Sequence, residues 1–443
     1  MTAEKGTFLN QSERPTGRHY MILAMAWAGW LFDFYDLMLF SFLLVPIKAD
    51  LGFSDSQLSL LLGVSLAATA LGGLVFGWLA DRLGRKRVLS ATILTYSLGT
   101  FFCGVSANLP LLLFFRVVTG LGVGGEWATG QTLVGETFPA RMRARFAAVM
   151  QTGAPAGVAL AAVVGAFVEP FFARSFGPGR GWRYCFFVSV LPALLVVAIR
   201  RFMPESDIWE EWQRHPERQR TARPNFLKSL RQDPTIRRLF LLGLFLAITG
   251  MSAYWFTYSW MPKYLYERLH FSMARSGLWM LVTQAGGLLG YLSFGVVADW
   301  KGRRIAYSIY SLTWAGALFS VTWFWNSLVA LPALTLVFMF LVGVGTGNFS
   351  GYGPIFSELF PTRIRNTAMG SAFNLARGIQ FFTPLVISWV ASRPWLSADR
   401  SLGIGISIGA FFALLTGLWV WTLPETRGTR ILADSQVRED GSR

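Results

Sequence analysis

Between Tyr20 and Leu423 the chain is divided into about twelve apolar runs, each close to the roughly 20 residues that an α-helix needs to cross a bilayer. That division constrains the fold more than any other feature. A segment inside hydrocarbon must satisfy its own backbone hydrogen bonds, so runs of this length read as spanning helices. They fall near residues 20 to 45, 57 to 80, 88 to 106, 110 to 137, 146 to 168, 183 to 201, 238 to 261, 276 to 298, 305 to 325, 328 to 357, 366 to 391 and 402 to 423. Six precede a long polar stretch and six follow it. The chain is therefore expected to be all-α and integral to a membrane, with twelve transmembrane helices in two six-helix bundles. Residues 1–19 form an N-terminal segment, 20–201 the first bundle, 202–236 an interdomain loop, 237–423 the second bundle and 424–443 a tail.

Composition agrees with this division. Charged residues make up 14% of the 443 and hydrophobic ones 53%, against about 25% charged in ordinary soluble domains. The net charge of +16 does not form a nucleic-acid patch, because the basic residues punctuate apolar runs instead of sharing a soluble face. Most of them fall in the segments on the same side as the N-terminus, which places both termini in the cytoplasm of a cell with the protein in its inner membrane. The first apolar run lacks a small-residue cleavage site and reads as a retained helix. Cys103 and Cys185 lie in apolar runs as packing residues, too few for a disulfide framework. His19, His215 and His270 all flank the runs, so neither a metal site nor a histidine-based hydrolase has ligands at membrane depth. No cofactor is expected, and the chain does not read as an enzyme. Trp209 and Trp212 in the interdomain loop suit an amphipathic interfacial helix.

Three motif pairs recur in nearly one register. Gly77 to Arg87, a glycine-bounded acidic and basic knot, returns as Gly295 to Arg304, offset by 218 residues. Glu136 to Arg143 returns as Glu358 to Arg365, offset by 222, and Pro204-Glu205-Ser206 answers Pro424-Glu425-Thr426, offset by 220. The two halves are thus internal repeats. Glycines at 120, 122, 124 and 125 leave a strip free of side chains, matched by Gly343, Gly345 and Gly347, and such strips let helices approach closely. A kink is expected near Pro354.

Charge inside hydrocarbon costs about 2.5 to 3.5 kcal/mol per residue on insertion scales, so the ionisable residues within the runs are the best functional candidates. Asp33 and Asp36, three apart, share one face of the first helix. Two such acids repel, and one is expected to hold a proton unless a cation lies near; they are the candidate proton carriers, with Glu126 in reserve. Of the basic residues, only Arg116 and Arg377 are expected within helices. Arg116 shares its helix with Glu126 and reads as half of a structural ion pair, with a first-helix aspartate as partner. Helix eleven holds no acid that could neutralise Arg377, which reads as the seat of a substrate carboxylate; the competing arrangement pairs it with Asp33 or Asp36 in the empty protein. Tyr254, Tyr258, Gln284, Asn348, Tyr352, Asn374 and Gln151 are further cavity candidates.

The repeated motifs resemble the major facilitator superfamily of transporters along almost the whole chain. Gly77 to Arg87 is similar to that superfamily's loop between helices 2 and 3. The glycine strip ending at Glu126, Gln151-Thr152-Gly153-Ala154-Pro155 and Pro204-Glu205-Ser206 resemble the bacterial metabolite:proton and sialate-type organic acid:proton symporters. Ala376-Arg377-Gly378 with Pro384 is similar to the arginine-bearing segment of organic anion transporters. The resemblance implies a monomeric proton-coupled importer of a small organic acid, working by alternating access. Asp81, Arg82, Arg85, Lys86, Arg87 and Arg141, with Asp299, Arg303 and Arg304 in the second copy, would form its cytoplasmic gate, Asp81 binding a helix N-terminus or an arginine. The sugar-porter signature is missing from helix seven, leaving sugar uptake as the weaker alternative, beside an exporter or a membrane sensor on the same scaffold.

Overall fold

The structure is a computed structural model and describes residues 9, 14–138, 143–177, 179–206, 210, 226–267, 270–328, 331–360, 365–394, 396 and 398–426. Its first half contains α1 (Gly17–Phe42), α2 (Asp55–Leu83), α3 (Arg85–Cys103), α4 (Leu109–Thr137), α5 and α6. Helix α5 runs as Arg143–Gln151, Gly153–Val163 and Glu169–Phe176, with a π turn over Val164–Val168; α6 is broken between Gly181–Val188 and Pro192–Phe202. The second half contains α7 (Pro234–Tyr258), α8 (Met273–Lys301), α9 (Arg303–Trp323), α10, α11 and α12 (Ala398–Trp419). Helix α10 runs from Pro332–Gly345 through a 3-10 stretch, Thr346–Gly351, to Tyr352–Leu359, and α11 is Arg365–Ile379 followed by Phe382–Ala391. Nine stretches of described residues are long and apolar enough to cross a membrane. Helices α3, α9 and α11 are less apolar and are not among these nine. The break in α10 is the 3-10 stretch, which begins two turns before Pro354, where glycines 345, 347 and 351 remove side chains.

Local chemistry sets the helix ends. Ser54 and Gln57 exchange hydrogen bonds at the start of α2 (3.2 and 2.8 Å), forming a capping box, and the Asn108 side chain caps α4. At the other end of α2 the chain turns directly into α3 through Gly84 at φ +98°, and α8 turns into α9 through Gly302 at φ +102°. Side chains are strained at these angles, so glycine is what allows a one-residue hinge. Each hinge is followed by a helix N-terminus whose free N–H groups are taken by a carboxylate from the end of the same half. Glu205 accepts from the N–H groups of Arg85 and Lys86 (3.0 and 3.1 Å), and Glu425 from those of Arg303 and Arg304 (2.9 and 3.1 Å). Such carboxylates complement the positive end of a helix dipole. The repeat motif Pro-Glu-Ser/Thr therefore has a structural purpose that its sequence did not announce.

Packing follows the repeat. Helix α2 packs on α4 as α8 does on α10, α3 on α4 as α9 on α10, and α1 on α5 as α7 on α11. The glycine strips sit at these crossings: a Cβ on Gly122 would lie 2.5 Å from the Tyr96 nitrogen, and one on Gly343 would lie 2.7 Å from the Gly287 nitrogen. The halves meet along two seams related by the same symmetry, α2 against α11 and α5 against α8. Outward faces such as Leu71, Leu74, Val75 and Trp78 on α2 are exposed and apolar, as a lipid-facing surface requires.

Candidate functional site

The seams enclose a buried charge cluster. Asp33 on α1 and Arg377 on α11 form an ion pair between the halves, with 3.5 Å between Nη2 and Oδ2, and both side chains are fully buried. The contact is long and single, so the guanidinium fork is largely unused: none of its nitrogens makes a hydrogen bond with good geometry to the described protein. Three rings wrap it instead. Trp30 and Phe34 of α1 lie 5.4 Å from its central carbon and Phe373 of α11 lies at 5.7 Å. Of the two arrangements open for Arg377, the structure contains the pairing with Asp33.

Asp36, one turn on, faces elsewhere. Its electrostatic neighbours are Arg116, Asp33 and Thr100, so the two acids that share a helix face still feel each other while each lies near a different arginine. No ion pair joins Asp36 and Arg116 among the described residues; the guanidinium lies 4.6 Å from the Phe40 ring centre. Glu126 is buried beside Asp33, Tyr96, Asp36 and Arg377. Gly29 makes its room, since a methyl there would occupy the space of the Glu126 carboxylate.

Tyr254 and Tyr258 stack obliquely at 4.6 Å along α7, and Tyr254 meets Phe34 edge-on across the halves at 5.9 Å. Tyr258 adjoins Thr283 and Gln284, whose amide nitrogen donates to the Thr283 hydroxyl. Tyr352 donates to the Leu246 carbonyl (3.4 Å), and Asn348 donates to Ser311 within the second half. The Gln151 amide oxygen accepts from the Trp127 indole and from Gln131, both at 3.2 Å. Asn374 lines a cavity of about 250 Å³ between α2, α4 and α11, on the side of the cluster nearer the hinges. Arg377, Asp33, Glu126 and Tyr254 thus come together at the centre, Asn374 and Gln151 lie toward the hinge end, and Asn348 is turned into its own bundle.

The expectation that Arg116 and Arg377 are the only basic residues in helices is corrected: basic residues also sit at helix ends, as Arg85, Lys86, Arg87, Arg303 and Arg304 do, and a further buried one is Lys263. It lies in a short helix after α7, Met261–Glu267, with 2% of its side chain exposed, paired with Asp55 (3.0 Å) and Glu267 (3.1 Å). Its flanking aromatic residues had masked it as an interfacial segment. Of the gate residues, Arg85 and Lys86 present their backbone N–H groups to Glu205. The Arg85 guanidinium donates to the Ala80 carbonyl, and that of Arg304 to the Leu423 carbonyl. Arg87 is exposed. The side chains of Asp81, Arg82 and Asp299, Arg141, and the Trp209 and Trp212 segment lie outside the described residues. Trp30, Phe34, Trp127 and Phe373 were not singled out by sequence, because aromatic residues are common on every face of a membrane helix.

Two pseudo-symmetric halves of spanning helices, meeting around a buried polar centre, define a polytopic membrane transporter. The match to a family model named Major Facilitator Superfamily covers residues 26–384, and the chain belongs to that family. It is 30% identical over 406 residues to the cis,cis-muconate transport protein of Acinetobacter baylyi, covering 90% of this chain and 94% of that one. It is also 30% identical over 399 residues to the sialic acid transporter NanX of Escherichia coli, covering 89% and 93%. Among solved structures, a D-xylose-proton symporter superposes with a TM-score of 0.72 at 22% identity, over 94% of this chain and all of that one, a likeness of fold.

Proposed function

We propose that the chain is a proton-coupled symporter that imports a small organic acid, with Arg377 holding the carboxylate. The observation that carries this reading is the long, single Asp33–Arg377 contact between the halves. A guanidinium offers two parallel donors that fit one carboxylate, and a mobile carboxylate can use both where Asp33 uses one poorly. The rings of Trp30, Phe34 and Phe373 exclude water around it and offer faces to the body of a ligand. Substrate that takes the fork displaces Asp33. Left beside Glu126 and Asp36 without its cation, that carboxylate takes up a proton, so anion and proton load together. On release the ion pair re-forms and returns the proton. The hinge end carries the basic loops and is the cytoplasmic side in this reading. Two relatives whose names are those of organic acids support the substrate class.

Uptake of radiolabelled carboxylates into proteoliposomes, with and without an imposed pH gradient, tests the assignment. Arg377→Lys keeps charge but loses the fork, and its affinity is expected to fall about tenfold or more. Arg377→Ala should abolish uptake. Asp33→Asn should lose accumulation driven by the gradient while retaining substrate exchange, which needs no net proton release. Undiminished carboxylate binding by Arg377→Ala eliminates the reading.

A further inference from the structure

The Trp127 ring of α4 and the Phe373 ring of α11 lie face to face across the two halves, with centroids 3.8 Å apart and planes 14° from parallel. Stacked rings at this separation bury their faces completely and leave no room for a solute between them. On one side of the stack Phe373 touches Arg377, at 5.7 Å from the guanidinium carbon to the ring centre. Toward the hinge end of the seam lies the cavity of about 250 Å³, whose polar lining comes from Arg85, Thr129, Thr132, Thr367, Ser371 and Asn374. Two of these adjoin the stack in sequence, Thr129 two residues beyond Trp127 and Asn374 next to Phe373. The stack thus lies next to a buried charged site, and both of its helices continue into the wall of a polar-lined space at the hinge end.

The Trp127 ring is held from behind. Its indole N–H donates to the Gln151 amide oxygen at 3.2 Å, and Gln131 donates to the same oxygen. Gln151 belongs to α5 of the first half, so the tether fixes the ring on its own bundle and leaves the contact with Phe373 free to part. Beside the stack, a Cβ on Gly73 would lie 2.5 Å from the Asn374 amide nitrogen, so α2 and α11 close the lateral route at that level.

We infer that the Trp127–Phe373 stack is the inner door of the central site, that Gln151 is the positioning residue that holds Trp127 in its closed setting, and that the polar-lined cavity is the vestibule beyond it. The inference rests on the transport reading, and deepens it by saying where the site opens. Because Phe373 contacts Arg377 as well as Trp127, a ligand that moves Arg377 also bears on the door.

The door is tested by access, not by transport of a chosen substrate, so a wrong substrate class does not affect the result. In a full-length chain carrying Cys103→Ala and Cys185→Ala, single reporter cysteines are placed beyond the door at Tyr254 and in the vestibule at Ser371. A membrane-impermeant methanethiosulfonate reagent is applied to inside-out and right-side-out vesicles. The expected result is fast modification of Ser371→Cys from the face that bears Gly84, and slow modification of Tyr254→Cys from that face. Adding Trp127→Ala should speed the Tyr254→Cys reaction from that face about tenfold with little change at Ser371→Cys. Gln151→Met, which keeps volume but loses the acceptor, should give a smaller increase, and Trp127→Phe, which keeps a ring, should restore slow labelling. An unchanged Tyr254→Cys rate in both Trp127→Ala and Gln151→Met overturns the door; equal rates in Trp127→Phe and Trp127→Ala overturn the stack as its basis.

Discussion

The two ends of the groove between the halves are built differently. At the end where α2 begins, Asp55 of the first half reaches Lys263 of the second, and the pair crosses the seam. At the hinge end the carboxylates of Glu205 and Glu425 each cap a helix of their own half. Helices α2 and α11 follow the same contrast. A Cβ on Gly63 would lie 3.2 Å from the Phe381 ring and one on Gly73 2.5 Å from Asn374, whereas one on Gly77, a turn further, would meet nothing within 4 Å. Among the described residues, one end carries an ion pair between the halves, and the other carries a cap within each half, with open space beside Gly77. Rigid halves that rock need both devices: caps that keep each helix end intact, and cross-seam contacts weak enough to exchange.

The largest effect that sharpens this comparison is expected from the caps. Glu205→Gln removes a carboxylate that accepts from two consecutive N–H groups at a helix N-terminus, and bonds of that charged kind contribute about 1.5 to 3 kcal/mol. Thermal unfolding in detergent should show lower stability by about 2 kcal/mol, with Glu425→Gln similar because its geometry is the same. Cysteine access at the opposite end should stay as it was. A cap variant that changes access there without losing stability would break the distinction between bracing and latching.

Next comes the close approach at Gly73. Gly73→Ala places a methyl against Asn374, which must shift, and overpacking of this kind costs about 1 to 2 kcal/mol. Because the shift falls one turn from Arg377, substrate uptake should drop more than stability does. Equal uptake by the alanine variant would mean that α2 and α11 are already apart at this level in the working protein.

How much of this was legible in the sequence depends on the range of the contact. The repeats are local patterns and foretold the symmetric packing, including the glycine strips at the α2/α4 and α8/α10 crossings. Arg377 stood out because helix eleven holds no acid near it, and its partner lay among the two candidates on α1. The separation of Asp33 from Asp36 was not legible: spacing of three places both on one face, but which partner each finds depends on α3, α4 and α11 together. The Trp127–Phe373 stack joins residues from opposite halves, and nothing in either segment distinguishes those rings from packing aromatics. Lys263 was hidden because a lysine flanked by Trp260 and Tyr264 looks like an interfacial anchor until Asp55 is placed beside it.

A smaller effect is expected from the latch. Lys263 is buried while its partner Asp55 is 39% exposed, so solvent screens the pair and its coupling is about 0.5 to 1 kcal/mol. Lys263→Met should leave the melting temperature nearly unchanged and raise modification of a cysteine placed near Asp55 by a few fold, as a shift of that size in a two-state balance requires. A double-mutant cycle with Asp55→Asn isolates the pair, although Lys48 also holds Asp55 at 2.8 Å and will recover part of the loss. A coupling of zero would move the latch to the apolar contacts around it.

The smallest effect is predicted at Gly77, and it is the most direct test of divergence. This residue opens the repeated hinge motif, and the sequence alone argues that its glycine matters. In the structure it is helical, has no positive φ, and a Cβ built on it meets nothing within 4 Å. Glycine in a helix interior is about 0.8 to 1 kcal/mol less favourable than alanine, so Gly77→Ala should leave stability unchanged or raise it by less than that amount. The methyl would project into the space between α2 and α11, where the cavity lies. If transport needs that space only as it stands, uptake is unchanged as well. If α2 and α11 close at the hinge end during the cycle, bringing Gly77 as near to its partner as Gly73 is now, the same methyl blocks closure, and uptake falls while the resting protein is no less stable. Measuring both on one variant therefore separates a glycine kept for the resting fold from one kept for the other end of the rocking motion.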